Sequence, residues 1–247
     1  MPMRPRHRFL QVLAMNYPRL RWFSTAILVL SFAASNQLSA GQTPGVVVVG
    51  FVGGFVHHND AAHQEVQLAD RLRKDYSSGV DVKIFANHFA AQAHQQILQS
   101  LDADHDGTLS AQEKHDARIV LYGHSWGASE AVTMARKLEK DGVPVLLTIQ
   151  VDSVSKPGEE DGFIPANVAQ AINFYQLDGL LHGRRQILAA DPSKTQILGN
   201  FRENYTSRRI DTAGYPWYAR LFMRPHIEIE SDPGVWGRVE SLIRSKL

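Results

Sequence analysis

The stretch "GVVVVGFV", beginning at Gly45, constrains the fold more than any other part of the chain. A continuous β-branched run offers water no polar face, so the strand it forms has to be covered on both sides. It ends at Gly53 and Gly54, and Ala61–Tyr76 then places Val66, Leu68, Ala69 and Leu72 at mostly helical spacing. "VDVKIFA" follows as a second strand. A doubly covered strand, a helix and another strand make a parallel βαβ unit.

The rhythm continues. "FAAQAHQQILQSL" reads as a helix, an acidic loop and a short helix from Ser110 follow, and "ARIVLYG" is the next strand. "ASEAVTMARKLEKDG" is a helix stopped by Gly142, and "VPVLLTIQV" is another buried strand. "AINFYQ" and "TQILGN" are two shorter strands, and Pro233–Ser245 closes the chain as a helix. Alternation of this kind predicts an α/β fold, with a mainly parallel central sheet and helices on both faces. No repeat or linker divides residues 41–247, which are expected to form one domain.

The opening residues have a different character. Arg4, Arg6, Arg8, Arg19 and Arg21 carry no compensating acid, and "FSTAILVLSFAAS" then runs apolar from Phe23 to Ser35. This run is short for a bilayer span, and "QLSA" supplies small residues for cleavage after Ala40. Residues 1–40 therefore read as an export signal, with Met15 as an alternative start and a retained membrane anchor as the alternative role. The expected location is secreted or periplasmic, with membrane contact only through this segment if it is uncleaved. Removing it turns a balance of 26 basic and 25 acidic residues into a net charge of about −4. No basic stripe interleaved with aromatics is present, which argues against a nucleic-acid partner. Cysteine is absent, so disulfides, thiolate metal sites and a cysteine nucleophile are excluded.

Residues 121–128, "LYGHSWGA", contain GxSxG around Ser125. Alone the pattern is weak, arising by chance in roughly one chain in ten of this length. Here it lies at the join of a buried strand and a helix. Flanking glycines permit the tight turn that aims a nucleophilic hydroxyl away from the sheet, and the helix N-terminus favours developing negative charge.

Through "GHSWGAS" and the order of elements from Gly45 onward, the chain resembles the α/β-hydrolase superfamily, in its esterase, lipase and thioesterase branches. The leading antiparallel strands of that family are missing from the pattern, so the resemblance implies a trimmed version of the fold. It implies that Trp126 contributes one oxyanion-hole amide, with Gly54 or Phe55, in "GFVGGF", contributing the other. The family's order of serine, acid, histidine points to His226 as the base, between the last strand and the final helix. Two acids remain open. Asp152 follows "LLTIQV" and is favoured; Asp178 follows "INFYQ" in the strand position the family uses more often, but begins an Asp-Gly turn pair. The implied reaction is hydrolysis of a carboxylic ester or thioester through an acyl-enzyme, on a small or lipid-like acyl substrate. The aromatic stretch Tyr215–Met223 is a candidate cover for an apolar acyl group.

A second motif is more specific. Asp102–Glu113, "DADHDGTLSAQE", matches the EF-hand calcium-loop template at every constrained position. Asp102, Asp104, Asp106 and Glu113 offer carboxylates, Thr108 a backbone carbonyl, Ser110 a hydroxyl or a bridging water, and Gly107 the sharp bend. The expected ion is a structural Ca2+, at the end of the sheet opposite Ser125. A calcium-dependent binding protein on a non-catalytic hydrolase scaffold is the competing expectation.

Overall fold

The structure, a computed structural model, describes residues 45–247. The expected signal or anchor, residues 1–40, lies outside the described residues. Among these, no helix is long and apolar enough to cross a membrane.

The chain order begins β1 (Val46–Val52), α1 (Gln64–Asp75), β2 (Val80–Ala86), α2 (Ala90–Leu101), α3 (Ala111–Asp116) and β3 (Ile119–His124). It continues through α4 (Trp126–Lys140), β4 (Val145–Val151), β5 (Phe163–Ile164), β6 (Val168–Tyr175), β7 (Leu188–Ala189) and β8 (Gln196–Arg202). Helices α5 (Trp217–Phe222), α6 (Arg224–Glu230) and α7 (Pro233–Arg244) complete it. Six strands form one sheet in the order β2-β1-β3-β4-β6-β8, while β5 and β7 pair separately. Every pairing is parallel. The fold is therefore α/β, as the strand-helix alternation implies.

Strand β1 shows why the valine run behaves as it does. Val46, Val48 and Val52 enter one core with Leu68 and Leu72 of α1 and Trp236 of α7. Val47, Val49 and Phe51 enter the other, with Ile97 of α2 and Met134 and Leu138 of α4. Alternate side chains of a strand point to opposite faces, so burial on both requires apolar residues throughout. Each fully buried aliphatic side chain contributes roughly 1.5–3 kcal/mol relative to exposure.

Because β1, β3 and β4 are neighbours and parallel, their carboxyl ends lie side by side. Gly53, Ser125 and Asp152 each follow one of them directly. Two helices in the last third of the chain are not assigned in the sequence reading. The aromatic stretch contains helix α5, and the segment carrying His226, between the last strand and the final helix, is itself helix α6.

Candidate active site

Ser125 occupies a backbone conformation with φ 56° and ψ −126°, between the last residue of β3 and the first of α4. Such left-handed geometry in a non-glycine residue typically costs about 1–3 kcal/mol and is sustained only by its surroundings. Those surroundings are tight. A Cβ on Gly123 would lie 2.5 Å from the Gly127 backbone, and one on Gly127 would lie 2.1 Å from the Phe51 carbonyl oxygen. The two glycines of the motif thus permit close contact among β3, α4 and β1. A Cβ on Gly53 would sit 2.9 Å from that of Ser125, so the turn after β1 lies against the serine.

His226 comes from α6. Its Nε2 lies 2.9 Å from Ser125 Oγ, and its Nδ1 lies 2.7 Å from Asp152 Oδ2. A carboxylate can only accept, so Nδ1 carries the proton and Nε2 is left to accept from the serine hydroxyl. Asp152, with φ 44°, is wholly buried. It also accepts from Gln176 Nε2 at 2.8 Å, from Gln176 N at 3.1 Å and from Gly183 N at 2.7 Å. Burial pushes its carboxyl up, but the hydrogen bonds from His226 and Gln176 outweigh this and hold it below the ordinary range. Asp178 is committed elsewhere, accepting from Tyr205 N at 2.7 Å and Arg202 Nη2 at 3.2 Å.

Of the three residues named for oxyanion binding, Trp126 is the first residue of α4, where an amide has no intrahelical acceptor. Gly54, at φ 51°, and Phe55 lie on the turn after β1, and the Phe55 ring meets Trp126 edge-on at 5.5 Å. Asn87 holds this turn from beneath, donating through Nδ2 to the carbonyls of Val52 at 3.1 Å and Gly54 at 2.6 Å. His58 and Asn59, further along the turn, line a cavity of about 530 Å³ with Asp81–Phe85 of edge strand β2. Helix α5, immediately before α6 in the chain, presents Trp217, Leu221 and Phe222 to solvent, and Phe55 is 87% exposed.

The sequence reading missed Gln176, Gly183 and Asn87, which carry no motif. It also missed a polar cluster beneath His226. The His124 ring packs on the His226 ring with centroids 4.4 Å apart, and its Nε2 donates to the His226 carbonyl at 3.1 Å. Burial pushes the His124 imidazole down to about 4, against the pull of Glu230. Burial and the charge of Glu230 push the Glu65 carboxyl up.

At the other end of the sheet, carboxylate oxygens of Asp102, Asp104 and Asp106 lie within 4.8 Å of one another. Gly107, at φ 86°, makes the bend and donates to Asp102 Oδ2 at 2.9 Å. Thr108 N donates to Asp106 Oδ1 at 2.7 Å. Glu113 closes the loop onto its start, accepting from Ala103 N at 2.7 Å, and forms a capping box with Ser110 at the start of α3. This oxygen-only donor set suits a hard cation of calcium size.

The chain matches no protein-family model, and no curated protein matches it. It is similar to a solved structure described as "RedJ with PEG molecule bound in the active site". The two share 12% sequence identity at a TM-score of 0.36, over 76% of this chain and 90% of that one.

Proposed function

We propose that the protein is a serine hydrolase that cleaves a carboxylic ester or thioester through an acyl-enzyme. The observation that carries this reading is the continuous hydrogen-bond chain from Ser125 Oγ to His226 to Asp152. It begins at a strained residue on the carboxyl edge of the sheet. His226 Nε2 takes the Ser125 proton as Oγ attacks the substrate carbonyl carbon, and Asp152 stabilises the imidazolium. The oxyanion is received by the amide of Trp126 and by that of Gly54 or Phe55, each donor contributing about 3–4 kcal/mol to lowering the barrier. Imidazolium Nε2–H then protonates the departing alcohol or thiol. Water, deprotonated by the same nitrogen, releases the acid and restores the serine.

Phe55, exposed against Trp126 beside the serine, and the exposed apolar side chains of α5, which precedes the helix carrying His226, favour an apolar acyl group. The structural calcium ion is part of the proposal. Asp102, Asp104, Asp106, Thr108 and Glu113 would hold it, stiffening the entry to β3 without taking part in the chemistry. A fluorophosphonate probe tests the catalytic reading: the wild-type protein is labelled and Ser125→Ala is not. Equal labelling of both, or aryl-ester turnover that survives the substitution, overturns it.

A further inference from the structure

We propose that His63, Glu65, His124 and Glu230 form a buried site for a divalent cation of the zinc class, which anchors the helix carrying His226. Ligand atoms of His63, Glu65 and Glu230 all lie within 4.8 Å of one another. His124 Nδ1 lies 3.2 Å from Glu230 Oε2, and His63 Nδ1 contacts Glu230 Oε1. The four residues come from three separate elements: the start of α1, the end of β3 and the end of α6.

Three observations on this cluster point to a cation. The first is Glu65, which is fully buried and whose carboxylate oxygens meet no donor at full hydrogen-bond geometry among the described residues; its neighbours there are the backbone of Glu65 and His124 and the Glu230 carboxylate. A buried carboxylate that is so weakly satisfied is costly to keep ionised. The second is that its nearest acidic neighbour, Glu230, is also buried, so two carboxylates share a water-poor space. The third is the orientation of His124. Its Nε2 faces a carbonyl oxygen and must carry hydrogen, so in the neutral ring Nδ1 is the unprotonated nitrogen, and it lies 3.2 Å from a Glu230 carboxylate oxygen. A proton or a metal ion is what can join an unprotonated nitrogen to a carboxylate at that separation, and the cobalt spectrum separates the two.

The donor set selects its class. Two imidazole nitrogens and two carboxylate oxygens suit four-coordinate zinc, whereas calcium and magnesium prefer oxygen alone. Zinc bonds of about 2.1 Å in a tetrahedron separate the ligand atoms by about 3.4 Å; His124 Nδ1 and Glu230 Oε2 are 3.2 Å apart, and the ligand atoms of His63, Glu65 and Glu230 lie within 4.8 Å. The hydrogen bond from His124 to the His226 carbonyl is the familiar arrangement in which a metal-bound imidazole donates its other N–H to backbone. The ion would tie α6, through Glu230, to β3, through His124, the strand that leads into Ser125.

The test uses the full chain, stripped with a chelator and reloaded with Zn2+ or Co2+ in excess calcium. One equivalent of zinc should survive desalting, and the cobalt form should show the intense visible bands of four-coordinate cobalt. Asp104→Ala, in the calcium loop, should retain both. Glu65→Gln should weaken binding by at least the ~10–100-fold that loss of a mere outer-shell partner costs. Failure of the wild-type chain to retain zinc, or a weak six-coordinate cobalt spectrum, overturns the site and leaves a proton shared by Glu65 and Glu230. So does unchanged zinc affinity in Glu65→Gln. Should Glu65→Gln not fold, the wild-type cobalt spectrum decides alone. Metal content and spectrum do not depend on whether Ser125 is a nucleophile.

Discussion

At the scale of single residues, Asp152 serves both chemistry and stability in the proposed mechanism. Its carboxylate sets the tautomer of His226, so Asp152→Asn should leave Nδ1 facing a weaker partner. A fall in kcat on the order of 10³–10⁴-fold is expected in an aryl-ester assay, with the protein still folded. The same residue makes stability depend on acid. Its folded-state pKa lies below the unfolded value, so the folded chain binds fewer protons there. The contribution is complete above the ordinary carboxylate pKa and is lost as pH falls through the lowered one. Thermal midpoints recorded from about pH 6 down to about pH 2 should therefore fall less steeply in Asp152→Asn than in the wild type. Gly127 gives a purely steric counterpart. A methyl group there meets the Phe51 carbonyl, so Gly127→Ala should cost about 1–3 kcal/mol in denaturant unfolding, as overpacking does elsewhere.

At the scale of elements, local signals were legible and assembled ones were not. The turn at Ser125 reads from sequence because a buried strand, two glycines and a helix start all lie within a few residues of it. Strand β4 and the end of β3 read equally well from their apolar runs. Helix α6 does not, because its seven residues are too few to show a period and Pro225 reads as a break. Proline is in fact tolerated in the first turn, where its missing N–H would have had no partner. The choice between Asp152 and Asp178 was likewise open, since both follow strands of the sheet. Only the fold assigns Asp178 to Tyr205 and Arg202. His63, Glu65, His124 and Glu230 are scattered over 168 positions and share no spacing rule. Short helix α3 offers a test at this scale. It has no buried residues, and its capping box on Ser110 satisfies amides that would otherwise be free. With calcium chelated, Ser110→Ala should cost about 1 kcal/mol by chemical denaturation.

At the scale of the whole molecule, the parallel sheet separates the proposed catalytic site from the proposed calcium loop. Every sheet strand points the same way, so its carboxyl ends gather Gly53, Ser125 and Asp152 while its amino ends receive the chain from loops such as 102–113. An ion in that loop would act across the length of β3, too far for its field to select a transition state at Ser125. Its influence should be on the folded state as a whole. Extracellular loops of this type bind calcium at about 0.1–1 mM, so 10 mM calcium should stabilise the fold by about 1.4–2.7 kcal/mol through binding to the native state alone. For a domain of this size that corresponds to a rise of roughly 3–10 °C in Tm. Differential scanning calorimetry with and without chelator should show the rise in the wild type and not in Asp104→Ala. The kcat measured well below either Tm should be the same in both conditions. A calcium-dependent kcat with an unchanged Tm would place the ion's effect at the carboxyl edge, contrary to the position of its loop in the sheet.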